Sequence, residues 1–370
     1  PTAAAKGPLS AARYGLAAVS SRENGFPYAP TSTTRTATLP QGTDYGYYGG
    51  GYSPVKSTVD RIDYGNDTAA ALIKGPLASA KGYLSAASSN SYGYWGGGAF
   101  SDVLPGPSVG IISTLDRLDY SNDTATMATK APLATGRLRP NAAGNNSYGY
   151  WGGGRAYPSP SVYSSIDRLD YSNDTATAAA KGPLSVARSA LFSTGNQSYG
   201  YWGGGGPAAT YSLVDRLDYS SDTTTAAAKG PLSAAISSGS ATGNSSYGYF
   251  AGGQPGPAYR STVDRIDYSS DTPTASVKGP LAAGRSYFGA TGNTSYGYFC
   301  GGTGGGTTVD RVDYSNDTPT ATAKGNLSPA GNKTGGAATS SRDYANPTSS
   351  TTYPWYDTSG KGDDGENTSG

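Results

Sequence analysis

The 370-residue sequence contains no histidine and a single cysteine, Cys300. The chain therefore lacks the commonest general base and the commonest metal ligand, and one cysteine can form neither an internal disulfide nor a zinc cluster. No apolar run reaches the length of about 18 residues that a membrane-spanning helix needs. The formal net charge is +1, with acidic and basic residues interspersed, so no basic stripe indicates a nucleic-acid partner.

Glycine and tyrosine are abundant instead, with 55 and 31 residues. Tyrosine favours strands with aromatic packing, and glycine favours tight turns. A chain rich in Gly, Ser, Thr and Asn can also be disordered. The regular spacing of aromatic and aliphatic residues argues against disorder, except in the polar segment SGKGDDGENTSG at 359–370, which we expect to be a flexible tail.

A repeat of about fifty residues runs through the sequence. Three phrases mark it in fixed order: an aromatic phrase such as SYGYWGGG, an Asp-Arg phrase such as VDRIDY, and KGPL or a close variant. The aromatic phrase has its first tyrosine at Tyr45, Tyr92, Tyr148, Tyr199, Tyr247 and Tyr296. The Asp-Arg phrase stands at Asp60, Asp116, Asp167, Asp215, Asp264 and Asp310, at intervals of 46 to 56 residues.

Each unit predicts four short strands. The aromatic phrase ends at glycines that stop a strand, and the Asp-Arg phrase alternates as a strand should. The Asn and Asp of SNDT tolerate left-handed backbone conformations, so we expect this stretch to close a hairpin. A thin alanine-rich strand such as ATAAAK follows and ends at Gly-Pro. A variable strand such as SALFST at 189–194 completes the unit.

Four strands in every fifty residues indicate an all-β propeller. The unit resembles the kelch repeat, in which a diglycine, a separated tyrosine and a Pro-x-x-x-Arg-like segment follow one another. Three tyrosines precede an arginine by 17 residues, in the pairs Tyr120 and Arg137, Tyr171 and Arg188, and Tyr268 and Arg285. Tyr64 precedes Lys81 by the same distance, whereas Ile236 and Gly331 depart from the pattern. The tryptophan of the fourth kelch strand is also missing, and small residues such as Ala178 replace it.

The chain ends bear on the number of blades. PTAAAKGPLS at 1–10 matches the last part of a unit, so we expect it to close the ring with the C-terminal segment, where TTYPWYDTS at 351–359 is a degenerate Asp-Arg phrase. This interpretation predicts a single domain over 1–358 with seven four-stranded blades, six clear and one composite. The alternatives are six blades with 331–370 as an external extension, or an excerpt from a longer array.

A narrower resemblance is carried by RVDYSND at 311–317 and YGYFCGG at 296–302. These repeats resemble those in virion structural proteins of marine tailed phages, of the cyanophage type. The resemblance implies a non-enzymatic structural or adhesive module of a tail, fibre or capsid surface, located in the virion. Its partners would be other virion proteins or host surface glycans, and it could oligomerise within a particle. The alternatives are a secreted propeller enzyme acting on glycans, and a secreted, cell-surface or intracellular kelch-type scaffold.

The Asp-Arg phrases carry no catalytic prediction, because six copies around a ring cannot all form one active site. We expect them to be structural, pairing between or within blades, and we predict no cofactor and no metal. SNDT lacks the carboxylate spacing of a calcium loop, and Cys300 is predicted to be a small buried apolar residue. The structural repeat residues are Arg61, Asp63, Arg117, Arg168, Arg216, Arg265 and Arg311.

The loops after the glycines vary most in length and sequence. In a four-stranded blade these loops share one face of the disc, and length variation on one face is where repeat proteins place recognition. Tyrosine and arginine combine a flat surface with a polar tip and suit binding to sugars or proteins. The candidate binding residues are Phe100, Arg155, Tyr157, Tyr163, Tyr211, Tyr259 and Arg260. The alternative is that these loops merely tolerate insertions.

Overall fold

The structure is a computed structural model that describes residues 32–34, 45–52, 54–100, 110–157, 161–206, 210–328, 336–340 and 354–356. The chain divides into two compact units, Pro40–Pro347 and a smaller one made of Pro1–Leu39 and Thr348–Gly370. In the smaller unit, β1 (Ser32–Thr34) pairs with β26 (Pro354–Tyr356), which comes from the predicted degenerate phrase at 351–359. The described residues contain no helix long and apolar enough to cross a membrane.

The larger unit is a β-propeller whose described strands form six four-stranded antiparallel sheets, the blades. The first three blades contain β25 (Ala337–Ser340), β2 (Tyr45–Gly49), β3 (Val59–Asp63) and β4 (Leu72–Lys74); β5 (Ser85–Ser88), β6 (Tyr92–Gly96), β7 (Leu115–Asp119) and β8 (Ala128–Lys130); and β9 (Asn141–Gly144), β10 (Tyr148–Gly152), β11 (Ile166–Asp170) and β12 (Ala179–Lys181). The last three contain β13 (Phe192–Gly195), β14 (Tyr199–Gly203), β15 (Val214–Asp218) and β16 (Ala227–Lys229); β17 (Ser240–Gly243), β18 (Tyr247–Ala251), β19 (Val263–Asp267) and β20 (Ser276–Lys278); and β21 (Gly289–Gly292), β22 (Tyr296–Cys300), β23 (Val309–Asp313) and β24 (Thr322–Ala323). The all-β propeller of four-stranded blades is confirmed.

The blade count is the alternative one, six, and the preferred count of seven is wrong. A composite blade does exist, but it is the first of the six. Its inner strand β25 comes from near the C-terminal end of the unit and pairs with β2, with Ala337 opposite Gly49. Residues 337–340 are therefore part of the ring and not of an external extension. Residues 1–10, which were expected to close the ring, lie outside the described residues.

The inner strands line the axis of the propeller, where those of neighbouring blades contact one another. Six strands crowded around one axis leave room mainly for small side chains, because protein interiors are close-packed. β17 accordingly reads SATG and β21 reads GATG. The small residues of the inner strands are therefore suited to the centre of the ring.

The second strand of each blade supplies the large side chains between blades. Trp95, Trp151 and Trp202 are fully buried. The indole nitrogen of Trp202 donates to the carbonyl oxygen of Asn141 on the inner strand of the preceding blade, at 2.9 Å. Burying an aromatic side chain of this size contributes about 2–3 kcal/mol. The tryptophans beside the diglycine thus pack between blades.

Each blade also binds one aspartate of the next blade through a clamp of three side chains. In the third blade, Tyr150, Arg168 and Lys181 contact the carboxylate of Asp222 at 3.0, 2.6 and 3.1 Å. The same contacts connect Tyr47, Arg61 and Lys74 to Asp123; Tyr94, Arg117 and Lys130 to Asp174; Tyr201, Arg216 and Lys229 to Asp271; Tyr249, Arg265 and Lys278 to Asp317; and Tyr298, Arg311 and Lys324 to Asp67. Six clamps therefore complete the ring.

The aspartates that end the third strands have a different role. Asp63 is exposed and its carboxylate accepts the backbone N–H of Gly65 at 2.9 Å, which caps the 3-10 turn Tyr64–Asn66. Equivalent 3-10 turns follow in the next three blades, at Tyr120–Asn122, Tyr171–Asn173 and Tyr219–Ser221. The predicted hairpin at SNDT is confirmed, and the ion pair of Arg61 runs between blades to Asp123. Cys300 is buried in an apolar cluster, as predicted.

Candidate functional site

The order of strands sorts the connections onto two faces of the disc. The turns between inner and second strands and between third and outer strands share one face, which we call the turn face. The loops between second and third strands and the links from one blade to the next share the other, which we call the loop face. The fixed TGNxS and YSNDT phrases lie on the turn face, and the variable loops lie on the loop face.

The turn face is alike in the third to sixth blades. In the fourth blade, the side-chain oxygen of Asn196 accepts the N–H groups of Ser198 and Tyr199, both at 2.9 Å. Asn145, Asn244 and Asn293 form the same turn in the third, fifth and sixth blades. These amides satisfy local backbone groups, and Asn145, Asn196 and Asn244 also donate to a carbonyl oxygen in the turn of the next blade. Turn formation and contact between blades therefore explain the repeated phrase.

The loop face carries backbone strain where the five links that the structure describes in full enter the next inner strand. Five residues there have left-handed backbone conformations although none is glycine, and we call them the collar: Tyr83 (φ 58°), Arg139 (φ 52°), Ala190 (φ 56°), Ser238 (φ 60°) and Tyr287 (φ 52°). This conformation costs roughly 1 kcal/mol or more per residue. The collar lines the mouth of the axial channel.

Hydrogen bonds between blades compensate for this strain. The N–H of Arg139 donates to the carbonyl oxygen of Tyr83 at 3.0 Å, and the N–H of Ala190 donates to Arg139 at 3.2 Å. In the same way, the N–H of Ser238 donates to the carbonyl oxygen of Ala190 at 2.9 Å, and the N–H of Tyr287 donates to the carbonyl oxygen of Ser238 at 2.7 Å. The left-handed conformation therefore directs each N–H and carbonyl group along the ring, and the collar links five successive blades.

The backbone of the collar is regular but its side chains are not. Tyr83, Arg139 and Tyr287 form a cluster in which the guanidinium carbon of Arg139 lies 4.5 Å and 4.8 Å from the centres of the two tyrosine rings. The two rings themselves meet edge to face, with centres 6.2 Å apart. Tyr52 packs on Tyr83 with ring centres 4.3 Å apart. The cluster makes the mouth aromatic and cationic, whereas Ala190 and Ser238 contribute only small side chains to it.

A second arginine lies beside this cluster. Arg155 and Leu138 exchange backbone hydrogen bonds of 2.9 and 3.0 Å, which places Arg155 next to the strand residue that precedes Arg139. Burial and the positive charge of Arg139 lower the pKa of the Arg155 guanidinium. Among the described residues, no aspartate or glutamate forms an ion pair with either arginine. Two cations therefore share the mouth.

Behind the collar, the channel contains a cavity of about 140 Å³. Its wall is made of the inner strands, with small residues such as Ser193, Thr194 and Thr242, and it reaches Asn145 and Gln197 near the turn face. A cavity of this size and polarity accepts water or a small polar group. The collar, with its larger side chains, is the part of the axis that can contact a bigger ligand.

The predicted binding residues are brought together only in part. Arg155 and Tyr157 lie at the collar, where Tyr157 packs against the cluster of Tyr83 and Leu138. Tyr163, Tyr211 and Arg260 occupy equivalent positions in the loops between second and third strands, where their carbonyl oxygens accept the N–H groups of Arg188, Ile236 and Arg285. Phe100 and Tyr259 are exposed, at 49% and 42%.

Sequence reasoning missed Tyr83, Arg139 and Tyr287. Each stands two residues after the position occupied by Lys81, Arg137 or Arg285, so a comparison of the units at that position could have found them. The residue at this position differs in side-chain chemistry from blade to blade, whereas the residues of the fixed phrases do not. The left-handed conformation itself was not readable, because none of the five residues is a glycine.

The basic residues found 17 positions after a tyrosine in the sequence form buried ion pairs beneath the loop face. Lys81, Arg137, Arg188 and Arg285 are completely buried and pair with Asp116, Asp167, Asp215 and Asp310 at 2.9, 2.8, 2.6 and 2.7 Å. In the fifth blade the position is Ile236, and the carboxylate of Asp264 accepts the N–H of Ser233 at 2.9 Å. Burial raises the pKa of Asp264. These carboxylates are structural, because they lie inside their blades.

No protein-family model matches the chain, and no curated protein matches it by sequence. Its fold, in contrast, matches 295 chains of solved structures. One of them, "Structure of YjhT", has a TM-score of 0.60 and 13% sequence identity, and the match covers 79% of this chain and 99% of the other. At this identity the likeness concerns the propeller fold alone, which is shared by proteins of many functions.

Proposed function

We propose that the propeller is a non-enzymatic adhesive module of a virus particle, of the kelch-like type that its repeats resemble, and that it binds its partner with the loop face. The observation that carries the proposal is the collar. Its backbone is the same in five blades, but its side chains differ and gather aromatic and cationic groups at the mouth of the channel. Such groups are the usual anchors of recognition sites.

The chemistry of the mouth supports binding over catalysis. The described side chains that meet there are tyrosines and arginines, and the buried carboxylates of the Asp-Arg phrases are engaged inside the blades. Tyrosine ring faces and guanidinium groups suit host surface glycans or a neighbouring virion protein. The wording of the repeats, RVDYSND and YGYFCGG, is what favours a virion role over a cell-surface or intracellular scaffold.

The test has two parts. Mass spectrometry of purified particles from the source should detect the chain, and the purified protein should bind host cells. Tyr157→Ala and Tyr259→Ala, both on the loop face, should weaken this binding, whereas Asn173→Ala on an exposed turn-face position should not. The chain's absence from particles would overturn the virion assignment. A specific turnover abolished by one Asp-Arg variant, but not by its counterparts, would overturn the non-enzymatic assignment.

A further inference from the structure

Resting on the proposed function, we propose that the mouth of the channel binds the anionic group of an acidic glycan, a carboxylate or a sulfate, between Arg139 and Arg155. The inference starts from a contrast among the arginines. Nine of them pair with an aspartate inside the propeller: Arg61, Arg117, Arg137, Arg168, Arg188, Arg216, Arg265, Arg285 and Arg311. Within the described residues, Arg139, Arg155 and Arg260 have no such pair, and of these three only Arg139 and Arg155 lie at the mouth of the channel.

The position of these two arginines makes their charges significant. Arg155 is fixed beside Arg139 by its backbone pairing with Leu138, and the two charges are close enough for one to disfavour the other. Like charges held together cost free energy that a bound anion recovers. Both side chains are partly exposed on the loop face. A guanidinium group offers a planar pair of donors that matches a carboxylate or sulfate.

The tyrosines favour a sugar as the carrier of the anion. Tyr83, which is buried, and Tyr287 flank the Arg139 guanidinium, and Tyr157 packs against the same cluster. Tyr287 and Tyr157 are partly exposed and can present a ring face to a ligand. An aromatic ring presents an apolar face and a polar hydroxyl, the combination that a sugar ring with its C–H faces and hydroxyl groups requires. The cavity of about 140 Å³ behind the collar has polar walls of Ser and Thr and could accept a small hydroxyl-bearing substituent.

The test uses soluble polymers: dextran and dextran sulfate share a backbone and differ in charge, whereas polygalacturonate and poly-glutamate both carry carboxylates on different backbones. Binding of the full chain to dextran and to dextran sulfate should be measured together with binding to polygalacturonate and to poly-glutamate, at low and at physiological salt. We expect dextran sulfate and polygalacturonate to bind at least about tenfold more tightly than dextran and poly-glutamate. Because the partners are charged and partly exposed, salt should weaken binding.

Variants of the two arginines separate the site from general surface charge. Arg139→Gln and Arg155→Gln should each weaken polygalacturonate binding about tenfold. Arg139→Lys should weaken polygalacturonate binding less than Arg139→Gln, because lysine keeps the charge although it lacks the planar donor pair. Lys56→Gln removes one charge from the same face away from the mouth and should change binding less than about twofold. Unchanged melting temperatures establish that the variants are folded, and Arg139→Lys decides the result if Arg139→Gln does not fold.

The outcomes distinguish this inference from the proposed function. Equal binding of dextran and dextran sulfate, or unaltered binding by both arginine variants, would overturn the anionic site while leaving an adhesive module intact. Tighter binding of poly-glutamate than of polygalacturonate would replace the acidic glycan by an acidic protein partner. Failure of every polymer to bind overturns the site, and the proposed function then depends on the particle and host-cell experiments.

Discussion

The hydroxyl of Tyr298 donates a hydrogen bond of 2.8 Å to the carboxylate of Asp67, although the two residues are 231 positions apart. Arg311 and Lys324 contact the same carboxylate at 2.8 and 3.1 Å. This clamp joins the sixth blade to the first and is equivalent to the five clamps between consecutive blades. The ring is therefore closed twice, by the clamp at Asp67 and by the pairing of β25 with β2.

Removal of the closing clamp should open this interface. Asp67→Ala leaves Tyr298, Arg311 and Lys324 without their acceptor, and we expect a loss of about 2–3 kcal/mol in the free energy of unfolding. Asp222→Ala, at the junction of the third and fourth blades, is the matched control. Hydrogen exchange should rise in the first and sixth blades for Asp67→Ala and in the third and fourth for Asp222→Ala. Identical exchange patterns would contradict an independent role for each clamp.

Acid should weaken the clamps. Burial alone would raise the pKa of Asp67 and Asp123, but hydrogen bonds from tyrosine and lysine and the charge of a neighbouring arginine hold both pKa values below the usual range. Such carboxylates stabilise the fold fully above the unfolded pKa of about 3.9, and this contribution is lost as the pH falls through the folded pKa. The melting temperature should therefore drop below about pH 4. Asp123→Asn should be less stable at neutral pH and less sensitive to acid.

The fifth blade should respond differently to neutralisation of its buried aspartate. Asp215 pairs with Arg188 at 2.6 Å, so Asp215→Asn leaves a buried cation unpaired and should cost about 3 kcal/mol. Asp264 has Ile236 where the cation would be, and burial raises its pKa, although hydrogen bonds from Ser233 and the charge of Arg260 oppose this rise. Asp264→Asn should therefore be at least as stable as the natural protein at neutral pH, by chemical denaturation.

The pH dependence gives a second measurement at the same site. Because the pKa of Asp264 is raised in the folded state, its contribution to stability is present below the unfolded pKa of about 3.9 and is lost as the pH rises through the folded pKa. The advantage of Asp264→Asn should thus be largest at neutral pH and should vanish near pH 3. An equal loss from Asp264→Asn and Asp215→Asn would show that Asp264 has a cationic partner.

Substitution of a collar residue by glycine should stabilise the protein where the replaced side chain makes few contacts. Ala190 has φ 56°, so Ala190→Gly removes the steric cost of the left-handed conformation and should raise stability by about 1 kcal/mol. Ala143→Gly on the inner strand β9 is the control and should lower stability by about 0.5–1 kcal/mol. Thermal unfolding of both variants measures the difference. Equal destabilisation would mean that the collar conformation is not strained.

Much of the fold could be predicted from local patterns. The strand in VDRID, the turn at SNDT and the strand break after YGYW each follow from alternation, turn chemistry or glycine, which act over a few residues. Repetition of these patterns about every fifty residues was sufficient to predict four-stranded blades. The buried state of Cys300 followed from its place in the aromatic phrase. Of the candidate site, Arg155 and Tyr157 were found because the loops vary in length.

The sequence by itself thus determined the blade, because the strands and turns of one unit depend on neighbours within that unit. Only the tertiary structure decided the number of blades, the origin of β25 and the identity of the collar. These depend on contacts between residues far apart in the chain, such as Ala337 with Gly49 or Tyr287 with Arg139. A ring closes at the number of blades whose interfaces pack together, and no local pattern records that number.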